Sequence, residues 1–278
     1  MSRLAGSRPF PRRSLLAALP AAFLLSSVPG RAAEPPAGPR ADGALRVPIL
    51  LYHRFGPVLT DEMTVTTPVF EGQLGVMRER GYGVAPLRTL LAALGGTPDG
   101  TGGEALQRSV VLTVDDGHRT VYSDLFPLLL RYRLPATLFI YPTAISNADY
   151  AMTWAQLAEM KASGLVDVQS HTFWHPNFNV ERKRLSPAAY RQFVHDQLAK
   201  SKSILEQRLG GTVDLLAWPF GIYDEELMQA ARDAGYTAAF SIERRPVTAK
   251  DNVMALPRYI VVDADRGNRF EALMAGQR

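Results

Sequence analysis

Val110-Val111-Leu112-Thr113-Val114-Asp115-Asp116-Gly117 is the stretch on which the reading of this chain turns. An uncharged, largely β-branched run ends abruptly in two carboxylates and a glycine. A short apolar run bounded by a turn signal fits a buried strand of the kind found in parallel sheets. Similar runs occur at Val47–Tyr52, Ala136–Tyr141, Val166–Gln169, Leu215–Trp218, Ala238–Phe240 and Tyr259–Val262. Helical patterns lie between them, at Pro68–Arg80, Leu87–Leu94, Val121–Tyr132, Trp154–Ser163, Pro187–Leu209 and Glu225–Ala234. Strands alternating with helices predict an α/β fold with a parallel sheet, and about seven such units predict a distorted (β/α) barrel.

In such barrels, side chains at the C-terminal ends of the strands converge on one face, where sites are built. Four strands here deliver unusual residues to that end: His53, the Asp115-Asp116 pair, His171, and the Pro219-Phe220-Gly221 segment. Adjacent carboxylates repel one another unless a cation or a proton lies between them. The plain reading of the pair is a cap for the helix that follows. The sharper reading gives one Asp to a metal and makes the other a general base. His171 and His175 lie four residues apart, a spacing that lets two imidazoles face one centre, although a hydrogen-bonded surface pair has the same spacing. Asp116, His171 and His175 together would make a three-ligand site open to water and substrate. A divalent ion there would acidify a water for attack on an amide carbonyl, with Asp115 accepting the proton and His53 free to protonate the leaving amine. The other two of the five histidines, His118 and His195, have no comparable placement.

The N-terminus reads as an export signal over residues 1–32. Arg3, Arg8, Arg12 and Arg13 precede an apolar stretch from Leu15 to Leu25, and small residues surround Ala32 and Ala33. Residues 33–45 form a Pro/Gly/Ala-rich lead-in, and 46–278 the catalytic domain, with no second domain expected. The stretch Gly95–Glu104 reads as loop. The formal charge of the whole chain is +4, but five of its 31 basic residues and no acidic residue precede the expected cut, leaving 26 basic against 27 acidic. That balance gives no footprint for nucleic acid. The absence of cysteine excludes disulfides. A periplasmic or secreted protein without a stable membrane span in its mature part is expected.

Thr113-Val114-Asp115-Asp116-Gly117 resembles the T-F-D-D-G motif of the polysaccharide deacetylase family (carbohydrate esterase family 4, the NodB homology domain). Ser170-His171-Thr172-Phe173-Trp174-His175 is similar to its H-[ST]-x-x-H metal motif. Leu50-Leu51-Tyr52-His53, Thr153-Trp154 and Trp218-Pro219-Phe220-Gly221 look like the circularly permuted branch that deacetylates poly-β-1,6-N-acetylglucosamine. The resemblance implies a NodB-type barrel and a divalent cofactor, zinc first, with cobalt, nickel or iron also fitting the ligands. It implies Asp115 as base, His53 as general acid, and Asp116, His171 and His175 as metal ligands. It also implies an oxyanion-stabilising N–H at Phe220 and a sugar groove lined by Trp218, Pro219 and Phe220. Ala217 stands where most members carry the arginine that orients the base, and Arg258 is the candidate to replace it. The implied substrate is an N-acetylhexosamine polysaccharide, and the implied context an exopolysaccharide synthesis or export complex. Peptidoglycan or another acylated glycan is the alternative substrate, with loops such as Gly95–Glu104 and Asn177–Arg184 shaping the groove. A sugar-binding homologue with weak or lost turnover is the alternative from another class.

Overall fold

The structure, a computed structural model, describes residues 45–95 and 106–276. The expected export signal, the lead-in apart from Leu45, and the expected loop beyond Gly95 lie outside those residues. Seven strands lie side by side in the order Ala238–Phe240, Leu215–Ala217, Val166–Ser170, Ala136–Ile140, Ser109–Asp116, Ile49–Tyr52 and Tyr259–Ile260. Every neighbouring pair is parallel. Gly83–Val84 adds a short parallel pairing at the start of Ser109–Asp116. Leu256 makes a parallel bridge to Phe240, and three residues later Tyr259 pairs with Leu50. One short segment therefore carries hydrogen bonding from one edge of the sheet to the other and curls it into the expected distorted barrel.

Strand alternation sorts the core into two layers. Val110, Leu112, Val114, Leu138 and Ile140 face outward into the packing beneath the helices. Val111, Phe139, Ala217 and Phe240 share a second apolar cluster, on the opposite face of their strands. Full burial of each large apolar side chain favours this arrangement by about 1.5–3 kcal/mol.

Several elements depart from the sequence expectation for local reasons. The first sheet strand begins at Ile49 rather than Val47, because Pro48 has no N–H to give the ladder. Arg46–Val47 pairs antiparallel with Val247–Thr248 instead. The helix expected over Val121–Tyr132 opens with a π turn, Val121–Leu125, before the α-helix Phe126–Tyr132. Pro127 cannot donate to the preceding turn, and its ring crowds the carbonyl four residues back, so that turn widens. Asn177–Arg184, expected as loop, holds the helix Phe178–Arg184, capped by the Asn177 side chain accepting from Val180 N at 3.1 Å. Trp154–Ala162 follows the expectation, with Thr153 and Gln156 completing a reciprocal cap. Among the described residues, no helix is long and apolar enough to cross a membrane.

Candidate active site

Register sets the level of the site. Asp116 pairs with Ile140, Ile140 with Ser170, and Ser170 with Leu216. The residues that follow these positions therefore emerge together at one end of the sheet. Adjacent residues on a strand point to opposite faces, so a regular strand could not send Asp115 and Asp116 to the same centre. Asp116 breaks the alternation with a left-handed backbone, φ 74°, followed by Gly117 at φ 84°. Thr172, His175 and Phe220 are also left-handed, so four of the six described non-glycine residues with positive φ lie in these turns. Such conformations cost free energy and persist where the surrounding structure holds them.

Three potential ligand groups meet there. Asp116, His171 and His175 each offer one atom, all within 4.8 Å of one another. Asp116 Oδ1 lies 3.6 Å from His171 Nε2 and 3.7 Å from His175 Nε2. These separations are too long for hydrogen bonds. Ligand atoms about 2.0–2.2 Å from a zinc ion at tetrahedral angles lie roughly 3.3–3.6 Å apart, so the set fits one small divalent cation. His171 Nδ1 lies 2.8 Å from the Ala217 carbonyl, which fixes the tautomer and turns the Nε2 lone pair toward Asp116. Burial lowers the His171 pKa to about 3 against the opposing Asp115 charge, and it lowers that of His175 as well. Both rings are therefore neutral donors at physiological pH. Burial raises the Asp116 pKa, the His53 charge opposes this, and neighbouring Asp115 adds to it. A cation between the three groups would reverse that balance.

Asp115 is 2% exposed, and its carboxylate receives two charge-assisted bonds from Arg258, Nη1 to Oδ1 and Nη2 to Oδ2, both at 2.8 Å. Burial pushes the Asp115 pKa up, but the Arg258 charge and its hydrogen bonds outweigh it and hold the carboxyl below its usual range. Arg258 is itself fully buried, donates from Nε to the Ser241 carbonyl at 3.0 Å, and lies over the Phe139 ring at 5.3 Å. The guanidinium that Ala217 cannot supply thus arrives from the segment that joins the sheet edges. Asp115 Oδ2 is 3.7 Å from His171 Nε2, which places the carboxylate beside the ligand cluster.

His53 follows the Ile49–Tyr52 strand, is half-buried, and its charge acts on both Asp115 and Asp116. Its Nδ1 is buried with no hydrogen-bond partner among the described residues. The Trp218-Pro219-Phe220 expectation needs correction. Trp218 is 1% exposed with Nε1 donating to the Met254 carbonyl at 2.9 Å, and Pro219 is buried too. Neither can line a groove; they pack behind it. Phe220 is 55% exposed, and its ring centroid lies 4.6 Å from that of His175. Sequence reasoning missed Tyr141, whose ring centroid is 5.5 Å from that of His175. Read as the last residue of an apolar strand, Tyr141 could have been marked by its hydroxyl at a C-terminal strand end.

The family profile of polysaccharide deacetylases matches residues 102–239. The matched stretch is a polysaccharide deacetylase domain. The matched stretch holds Asp115, Asp116, His171 and His175, whereas His53 precedes it and Arg258 follows it. The deacetylase is 27% identical over 233 residues to YxkH of Bacillus subtilis (strain 168), itself only provisionally named a polysaccharide deacetylase; the match covers 84% of this chain and 77% of that one. It is also 27% identical over 165 residues to the poly-beta-1,6-N-acetyl-D-glucosamine N-deacetylase of Staphylococcus aureus (strain MRSA252). That match takes in 58% of this chain and 57% of the relative's length. Among solved structures, the deacetylase PplD of Streptococcus pyogenes superposes with a TM-score of 0.71 at 22% identity, over 83% of this chain and 99% of that one. IcaB from Ammonifex degensii superposes at 0.68 and 22% identity, over 82% and 97%. These structural likenesses establish the fold of the deacetylase, a curled parallel NodB-type barrel.

Proposed function

We propose that the deacetylase is metal-dependent and removes N-acetyl groups from an N-acetylhexosamine polysaccharide, with poly-β-1,6-N-acetylglucosamine the leading substrate. One observation carries this reading: an open three-ligand cluster lies against a buried carboxylate held ionised by a bidentate arginine. Asp116, His171 and His175 would hold the ion, with zinc favoured by two imidazoles and a carboxylate. When bound, a divalent ion supplies polarisation of the acetyl carbonyl and a more acidic water.

The chain's own groups account for the proton movements. Water adds to the acetyl carbon as Asp115 accepts its proton, and Arg258 keeps the Asp115 oxygens charged and in place. The C–N bond then breaks as His53 gives a proton to the leaving nitrogen, releasing acetate and a free amine. Burial of Nδ1 leaves Nε2 as the His53 atom that delivers this proton. The Phe220 N–H would stabilise the negative charge that develops on the carbonyl oxygen, a contribution of about 3 kcal/mol in comparable sites. The arginine-rich, apolar and then small-residue pattern of residues 1–33 supports action in the periplasm or outside the cell, in the setting of polymer synthesis or export.

The test is free-amine release from β-1,6- and β-1,4-linked N-acetylglucosamine oligomers by the zinc-loaded protein. Asp115→Asn and His175→Ala are run in parallel. Release from the β-1,6 series that both substitutions abolish is the expected result. Zinc bound stoichiometrically with no release from either series would overturn the substrate assignment, and failure to bind any divalent ion would overturn the mechanism.

A further inference from the structure

Tyr141 stands at the ligand cluster, Tyr150 is hydrogen-bonded to it, and neither has a part in the proton transfers above. Tyr141 directly follows the Ala136–Ile140 strand, with its ring centroid 6.5 Å from that of His171 as well as close to that of His175. Its Oη lies 2.7 Å from Tyr150 Oη. Tyr150 is 43% exposed, and the His118 ring lies nearly parallel to it, 11° between planes and 6.2 Å between centroids. Phe220 touches the same His175 imidazole, so exposed aromatic surface reaches the cluster from two separate turns.

A single exposed tyrosine on a loop carries no message by itself. Tyr150 differs because its backbone is tied to the turn that bears the two aspartates. Arg119 N donates to the Tyr150 carbonyl at 2.7 Å, and Met152 N donates to the Gly117 carbonyl at 2.9 Å. Arg119 Nη1 reaches the Asp149 carbonyl at 3.0 Å, and His118 forms an antiparallel bridge with Ala151. The ring is thereby held in register with Asp115 and Asp116, its hydroxyl fixed by Tyr141 and its flank by His118. An apolar face already fixed in place loses little side-chain entropy when something packs on it, which is how preorganised surfaces gain affinity.

We infer that Tyr150, held by Tyr141 and His118, is the platform on which the enzyme stacks the sugar ring next to the one being deacetylated. A β-linked pyranose presents a face of C–H groups bordered by hydroxyls. A tyrosine answers both, with a flat apolar ring and a phenol at its edge. The inference rests on the glycan reading of the site and adds a residue that selects polymer over single sugars.

The experiment is calorimetric titration of the zinc-loaded His53→Ala protein, which lacks the proton donor to the leaving amine and keeps the buried Arg258–Asp115 pair intact. The probes are β-1,6-linked N-acetylglucosamine oligomers of one, three and five sugars. Affinity should rise with length in this parent. Adding Tyr150→Ala or Tyr150→Leu should weaken pentamer binding about tenfold and flatten the length dependence, while Tyr150→Trp should restore it. A merely structural role would instead weaken all lengths alike, lower zinc affinity, and resist rescue by Trp. Pentamer binding by Tyr150→Ala as tight as the parent's overturns the platform and leaves the deacetylase reading standing. A parent that binds no oligomer of any length overturns both.

Discussion

Arg258 and Asp115 are 143 residues apart in the chain, yet form a buried bidentate pair with both N–O distances at 2.8 Å. Arg258 reaches the carboxylate because Leu256 and Tyr259 lie on opposite edges of the gap in the sheet, which sends the side chain between them into the interior.

Removing one partner of a buried pair leaves the other charge unsatisfied. Arg258→Met should therefore destabilise the protein by about 3–5 kcal/mol in urea denaturation. Asp115→Asn/Arg258→Met should lose much less than the sum of the two single changes, because neither charge is then stranded. Arg258→Lys should fold but lose roughly a hundredfold in kcat, since an ammonium cannot hold both carboxylate oxygens in one plane. Additive stabilities in the double-variant cycle would show that the pair is not coupled as its geometry requires.

Metal should stabilise the fold in proportion to its affinity. Zinc at about a hundred times its dissociation constant should add about 2.7 kcal/mol, seen as a rise in Tm that a chelator reverses. His175→Ala and Asp116→Ala should each abolish most of that rise. His195→Ala, on the exposed face of the Pro187–Leu209 helix, should retain it. Equal zinc-induced shifts in all three variants would place the metal elsewhere.

The pH dependence of the chelator-treated protein follows from His171. Its folded pKa of about 3 lies below its ordinary value of 6.5 because of burial. Above 6.5 the ring is neutral in both states and the full stability is present. As pH falls toward 3, the unfolded chain binds a proton that the folded one does not, so stability declines by up to about 1.4 kcal/mol per pH unit for this group. His171→Gln should show a shallower decline than wild type in urea midpoints measured from pH 8 to pH 4. Identical slopes would mean that His171 titrates normally in the fold.

Gly117 has φ 84°, and a Cβ there would meet Ile140 Cδ1 at 3.0 Å and Ile145 Cδ1 at 3.1 Å. Gly117→Ala should cost roughly 1–3 kcal/mol in stability from its backbone conformation alone. It should also weaken zinc binding, because the turn that aims Asp116 must shift. Calorimetry that finds normal zinc affinity in this variant would separate the turn from the orientation of the ligand.

Much of this architecture is local and therefore legible. Runs such as Val110–Val114 are apolar because both faces of the strand are covered, and the polar residues that end them fall where parallel strands deliver side chains. That logic reaches Asp115, Asp116, His171, His175 and His53 without coordinates. It fails at Trp218, where an aromatic residue at the same strand end turns inward to hydrogen-bond Met254. It also fails at Pro127, whose effect is a π turn that side-chain periodicity does not register.

The sequence by itself determined the alternation of strands and helices, the donor types at the site and the motifs of its family, because these depend on residue chemistry and short spacings. Only the tertiary structure decided that Arg258 pairs with Asp115 across 143 residues, that Trp218 and Pro219 are buried, and that Tyr150 is tied to the aspartate turn. Each of these depends on which distant backbones share hydrogen bonds and on the left-handed turns at Asp116, Thr172, His175 and Phe220. Such turns are costly in isolation, and the packed sheet around them is what holds them.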